Sequence, residues 1–143
     1  MENFHEKDVK EIIDCTIKYC WALDKKDWKS LSQVFISDAY AKYGLTEHRG
    51  IESIVDKCKK SLTPLDASHH MVTNHVVAID GDNATCMCYF QAQHVRESAS
   101  GGSNFIIAGT YEDELLRVNG NWKITSRVLT KVWTEGNAKV VNP

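Results

Sequence analysis

No stretch of this chain approaches the ~20 consecutive apolar residues that cross a bilayer, so no membrane span is expected. The N-terminal run Met1-Glu2-Asn3-Phe4-His5-Glu6-Lys7 has no apolar core of a secretory signal, which makes the cytoplasm the default location. Charge of one sign is also lacking. Lys and Arg total 17 against 19 Asp and Glu, a formal net charge of −2. The electrostatic basis for holding nucleic acid or an anionic membrane is therefore absent. Cysteine occurs in odd number (Cys15, Cys20, Cys58, Cys86 and Cys88) and gives no even disulfide framework. Small buried hydrophobes in a reducing compartment are the plain reading. Cys86-Met87-Cys88 is too closely spaced for a zinc pair. The one glycine-rich stretch, Ser98-Ala99-Ser100-Gly101-Gly102-Ser103, is followed by no helix and carries no GKS/T pattern, so it is a flexible hairpin loop rather than a phosphate cradle. No repeat or linker divides residues 1–143, which read as a single domain.

What is present is ordinary for a globular protein: 143 residues, 43% apolar and 25% charged, enough for one real core. Val9, Ile12, Ile13, Ile17 and Cys20 recur at three- and four-residue spacing and predict a helix over about 6–24. Asp27 is a plausible N-cap for a second helix carrying Leu31, Val34 and Phe35. Ala39 to Tyr43 alternates as a short strand. Gly50 precedes a third helix with Ile51, Ile54, Val55 and Cys58, and Pro64 lies in the loop after it. Strands are predicted at about 69–79, 84–96, 104–118 and 122–133, with hairpin turns at Asp80-Gly81 and Asn119-Gly120. Helices followed by a run of long strands mean an α+β fold. The expected form is a cone-shaped α+β barrel, a curved antiparallel sheet wrapped around the long N-terminal helix. Its open mouth is a natural small-molecule pocket.

The chemistry concentrates on three residues. A hairpin centred on Asp80-Gly81-Asp82-Asn83 puts His70 almost directly across from His94. Asp24 ends the first helix on or beside its apolar stripe. One acid and two histidines are the smallest set for proton transfer without a metal or cofactor. An acid at a helix C-terminus opposes the helix dipole, so capping explains Asp24 poorly. A lone His70 is more often a satisfied structural histidine, and one bulge would turn His94 to the other face. Strict alternation places His69 and His75 on the face opposite His70, which makes a metal site from the three awkward. Trp21, Trp28, Trp122 and Trp133 read as packing residues, with Trp133 at the mouth as an alternative.

The run Tyr19-Cys20-Trp21-Ala22-Leu23-Asp24-Lys25-Lys26-Asp27-Trp28, the strand start His69-His70-Met71-Val72-Thr73-Asn74, and Arg127 to Trp133 with Glu135-Gly136-Asn137 together resemble the SnoaL-like family of the nuclear transport factor 2-like superfamily. The resemblance covers nearly the whole chain. It is to the family's cofactor-free lyases: scytalone dehydratase, bile acid 7α-dehydratase and the lindane dehydrochlorinase. It implies an Asp–His dyad at Asp24 and His70, a second active-site histidine at His94, and tyrosines at Tyr43 and Tyr19. Two positions depart from those enzymes. Gly109 and Tyr111 stand where scytalone dehydratase has serine and asparagine, and Lys131 stands where the bile acid enzyme has an arginine.

The expectation is a cofactor-independent lyase, with no metal, acting on a mostly apolar, ring-containing small molecule. Asp24 would orient His70 as base. Tyr43, Tyr19, Lys131 or His94 would supply the hydrogen bond or proton to the departing group. An isomerase or polyketide-type cyclase using the same pocket, or a non-enzymatic small-molecule-binding module, are the alternatives, because this fold hosts several functions. A homodimer or homotrimer through the exposed sheet face is the expected assembly.

Overall fold

The computed structural model describes residues 2–143. Helix α1 spans Glu2–Asp24 and α2 spans Ile51–Leu62. Six strands follow the order β1 Phe35–Tyr43, β2 Thr46–Arg49, β3 Ala67–Asp80, β4 Asn83–Val95, β5 Asn104–Val118 and β6 Asn121–Gly136. They form one sheet in the order β2-β1-β6-β5-β4-β3. The sheet is mixed rather than purely antiparallel, because β1 runs parallel to β6. The α+β cone otherwise matches expectation, with α1 packed on the concave face against β3 and β6.

The buried stripe of α1 is Ile12, Cys15, Thr16, Tyr19, Cys20, Ala22 and Leu23. It is rotated from the stripe read in sequence, and Ile17 is 39% exposed. Thr16 tolerates full burial because its hydroxyl is satisfied twice. It donates to the Ile13 carbonyl and contacts His75 Nε2 at 2.8 Å. The helix stops through a Schellman-type cap. Lys26 takes a left-handed φ of 54°, its N–H bonds the Leu23 carbonyl, and the Asp27 N–H bonds the Ala22 carbonyl. Lys26 Nζ then ties this turn to the carbonyl of Leu65, 2.8 Å away. Asp24 therefore sits on the last rigid turn of the helix.

The segment after Asp27 is a 3-10 helix, Trp28–Gln33, not an α-helix. The Asp27 carboxylate caps no backbone N–H and instead accepts from the Ser30 hydroxyl. Trp21 is 61% exposed, so it is no packing residue, while Trp122 is buried and donates to Asp8. Trp133 lies on the outer sheet face beside Met71 and Tyr89, not at the mouth. The glycine-rich loop before β5 is pinned, since the Asn137 amide donates to the carbonyls of Ser100 and Gly102.

One irregularity positions everything that follows. Between Thr73↔Tyr89 and Val76↔Met87, two residues of β3 face one of β4, and Asn74 has a φ of 59°. This is a β-bulge. Counting back from Asp80↔Asn83, an unbroken ladder would pair His94 with His69 and turn His70 outward. The bulge shifts the register so that Ser68 pairs with His94 and His70 with Ala92. His70 and His94 are thus diagonal neighbours on the concave face rather than direct partners. His75 also turns inward, contrary to strict alternation, while His69 stays exposed.

Candidate active site

A cavity of about 280 Å³ opens between α1, α2 and the concave face of the sheet. Tyr19, Tyr43, His70, His94 and Lys131 all line it. Asp24 stands behind His70. Its Oδ1 lies 2.6 Å from His70 Nδ1 and accepts from the Ser68 hydroxyl at 3.0 Å, and its Oδ2 accepts the His70 backbone N–H at 2.9 Å. Burial pushes the Asp24 carboxyl up, but the bonds from His70 and Ser68 outweigh it and hold the group below its ordinary 3.8. Ionised Asp24 accepts, so His70 Nδ1 carries the proton. The other ring nitrogen of His70 has no protein partner, and it is not among the sealed-off polar atoms of the described residues. It faces the cavity as a lone-pair acceptor.

The His70 and His94 rings are 6.0 Å apart, edge to face. His94 is buried, and Nδ1–H donates to the Phe105 carbonyl at 3.2 Å. Burial, then the neighbouring His70, holds its pKa below 6.5. The neutral ring thus offers Nε2 to the cavity as an acceptor, not as an acid.

The hydroxyls of Tyr19 and Tyr43 are 2.9 Å apart, and burial keeps both pKa values well above 10. The Tyr43 hydroxyl also lies 3.9 Å from the Cys58 thiol, so one phenol O–H is left to donate into the cavity when the thiol is the donor of that contact. Lys131 reaches the cavity by alternation with Arg127 and Leu129 along β6, and the strand bulges only after it, at Val132. A Cβ on Gly109 would lie 1.9 Å from the Thr130 carbonyl oxygen, so only glycine admits that approach.

Several groups escaped the sequence reading. Tyr111, Lys57, Ser61 and Asn142 also line the cavity. Beneath it lies an ion pair with no exposure at all. Arg127 Nε and Nη2 donate to Asp113 at 2.7 and 2.8 Å. The guanidinium lies 4.3 Å from the Tyr19 ring centroid and 4.0 Å from that of Tyr111. Its Nη1 has no hydrogen-bond partner, and the two ring faces take that place. Asp113 and Arg127 are register partners on β5 and β6, a signal hidden by the bulge between them and the Asn119-Gly120 turn.

The cysteines are all unpaired and buried, and burial pushes the Cys15 and Cys88 thiols up to about 11. No group of three His, Cys, Asp or Glu side chains suited to a metal occurs among the described residues. No helix among them is long and apolar enough to cross a membrane.

A SnoaL-like domain model matches residues 6–128. Rv2910c of Mycobacterium tuberculosis, a protein without an assigned function, is 29% identical over 131 residues, 87% of this chain and 85% of that one. The crystal structure of Kfla4162 from Kribbella flavida superposes with a TM-score of 0.90 at 25% identity, covering 97% of this chain and 99% of that one. A candidate scytalone dehydratase from Novosphingobium aromaticivorans gives 0.86 at 20% identity, covering 94% and 91%. A hexachlorocyclohexane dehydrochlorinase gives 0.78 at 18%, covering 96% and 91%. At such identities these last two share the fold alone. On the family match, the chain belongs to the SnoaL-like domain family.

Proposed function

We propose that the protein is a cofactor-independent lyase that eliminates water, or an equivalent leaving group, from a mostly apolar ring compound. The observation that carries this reading is the 2.6 Å contact between Asp24 and His70 Nδ1, which leaves the second ring nitrogen free toward a partly enclosed cavity. His70 removes a proton from carbon next to a carbonyl, and Asp24 stabilises the imidazolium that forms. Tyr43 or Tyr19 donates to the developing oxyanion, and Lys131 adds its charge from the β6 side. The carbon–oxygen bond of the leaving group then breaks, a double bond forms, and the proton held by His70 departs with the hydroxide as water. His94 Nε2 accepts a hydrogen bond from a substrate hydroxyl and fixes its orientation. The fold shared with a dehydrochlorinase and a candidate dehydratase supports the lyase class.

Five unpaired thiols fit a reducing cytoplasm. Met71, Tyr89, Val132 and Trp133 are exposed together on the outer sheet face, and we propose that this face joins copies of the chain into a dimer or trimer. A purely monomeric sedimentation profile at micromolar concentration overturns that assembly.

The test of the reaction is a panel of cyclic β-hydroxycarbonyl compounds, followed by enone absorbance and by solvent deuterium uptake at the α-carbon. Elimination lost in His70→Ala, by about 10²–10⁴-fold, supports the reading. Deuterium uptake without loss of water would favour an isomerase. Absence of both reactions in the parent protein refutes proton transfer at this site.

A further inference from the structure

The 18 residues lining the cavity include two lysines, Lys57 and Lys131, and no acid. That bias does not come from the chain, in which acids outnumber bases, 19 to 17. The nearest catalytic carboxylate, Asp24, is behind His70 and is occupied by three hydrogen bonds. The Asp113–Arg127 pair below the tyrosines is neutral as a unit.

Both ammonium groups are also uncommitted. Neither has a carboxylate within salt-bridge distance among the described residues. Lys57 is half-buried on α2, and its helical neighbours three and four residues away are Ile54, Lys60, Ser53 and Ser61, none of them acidic. Lys131 pairs across the sheet with Gly109, which has no side chain to meet it. The two lysines line one cavity from different elements, α2 and β6, and Ser61 and Asn142 add neutral polar groups. Two unpaired like charges, Lys57 half-buried and Lys131 exposed at the rim, favour an anion between them and repel a cation, an attraction that solvent screens in part.

We infer that the ligand of this cavity carries an anionic substituent, held between Lys57 and Lys131 while its ring lies against Leu23, Phe90, Ile107 and Leu129. The two point charges come without an arginine fork, and Lys57 is inside its helix rather than at the amide-rich N-terminus. A carboxylate offers one oxygen to each ammonium, and no arginine fork or helix N-terminus lines the cavity to add the further donors that a dianionic phosphate takes. The inference rests on the cavity being the active site proposed above and adds the substrate class: a cyclic carboxylic acid.

The probes are naphthalene-2-carboxylate and its neutral isostere naphthalene-2-carboxamide, with binding read by ligand fluorescence. The acid binds about tenfold more tightly than the amide, a preference of ~1.4 kcal/mol. Lys57→Gln and Lys131→Gln each cut the acid's affinity severalfold, and the double variant erases the preference. Affinity for the amide stays unchanged in all three, and added salt weakens only the acid. Equal affinities, no binding of the acid, or parallel loss of acid and amide in the variants overturns the inference. The readout is binding, so it separates from the reaction. A kept acid preference without turnover sinks proton transfer alone, and turnover without an acid preference sinks the anionic substrate alone.

Discussion

Replacing Asp24 with asparagine changes one oxygen to NH₂ in a site where every contact is a donor. Oδ1 accepts from His70 Nδ1 and the Ser68 hydroxyl, while Oδ2 accepts the His70 backbone N–H. The amide has only two orientations. With its oxygen toward His70 Nδ1, its NH₂ opposes the backbone N–H, and the strand start that aims His70 loses its anchor. With its oxygen toward the backbone, its NH₂ donates to Nδ1. The imidazole then carries its proton on Nε2, and the base is gone. Either way a charge-assisted bond, worth about 1.5–3 kcal/mol, is lost. The wrong tautomer costs more in rate than in stability. In the serine-protease triad the equivalent aspartate-to-asparagine change costs about 10⁴-fold in kcat. We expect a folded Asp24→Asn protein, destabilised by about 1–3 kcal/mol, with kcat reduced about 10²–10⁴-fold. The assay is kcat and KM on whichever β-hydroxycarbonyl acid is turned over, with urea unfolding of the same preparations. A folded variant that keeps a tenth or more of the parent kcat refutes the tautomer argument. If His94→Ala is then inactive, the base is His94.

Asp113→Asn leaves the fully buried Arg127 charge without its carboxylate, and should cost about 3–5 kcal/mol in urea unfolding and lower Tm by roughly 10 °C. A change below ~1 kcal/mol would show that the two tyrosine faces alone hold the guanidinium. Burial holds His48, His75 and His94 below their ordinary pKa. The unfolded chain therefore takes up protons near pH 6.5 that the folded chain does not. Stability should fall as pH drops from about 7 toward 5, whereas the Asp24 contribution is lost only in stronger acid, below about 3.8. Urea midpoints that rise on acidification would contradict this. Deleting Asn74 removes the extra residue of the bulge and leaves Thr73 opposite Tyr89 and His70 opposite Ala92. His70 then stays inward and activity should survive, and loss of activity as deep as in His70→Ala would contradict the register.

The periodic elements were legible because their signals are local. Helices α1 and α2 and the turns at Asp80-Gly81 and Asn119-Gly120 stand where expected, although the buried stripe of α1 is rotated from the one its apolar spacing suggested. Asp24, His70 and the tyrosines were legible through family resemblance and position at the ends of those elements. The register was not. The β3–β4 and β5–β6 pairings are set by turn counting until a bulge intervenes, and a one-residue slip exchanges the two faces. Asn74 was the available signal, since asparagine inside a strand often marks a left-handed residue. The parallel pairing of β1 depends on contacts distant in sequence, as does the approach of Lys57 to the cavity. No window of neighbouring residues encodes either.

The parallel seam has a consequence for how the protein acquires its pocket. Phe35 pairs with Ile124, and Tyr43 with Leu129, across more than half of the chain. The β3–β6 meander can form from successive hairpins, but this seam closes only after β6 exists, and such long-range closure is slow. Tyr43 arrives on β1 and Lys131 on β6, so the cavity is completed by the last strand made. An unfinished chain should hold the dyad histidine and its acid yet present them on an open half-shell, with the inner edge of β5 bare. Synthesis itself thus delays the chemistry: the cup cannot hold a guest until its final stave is in place.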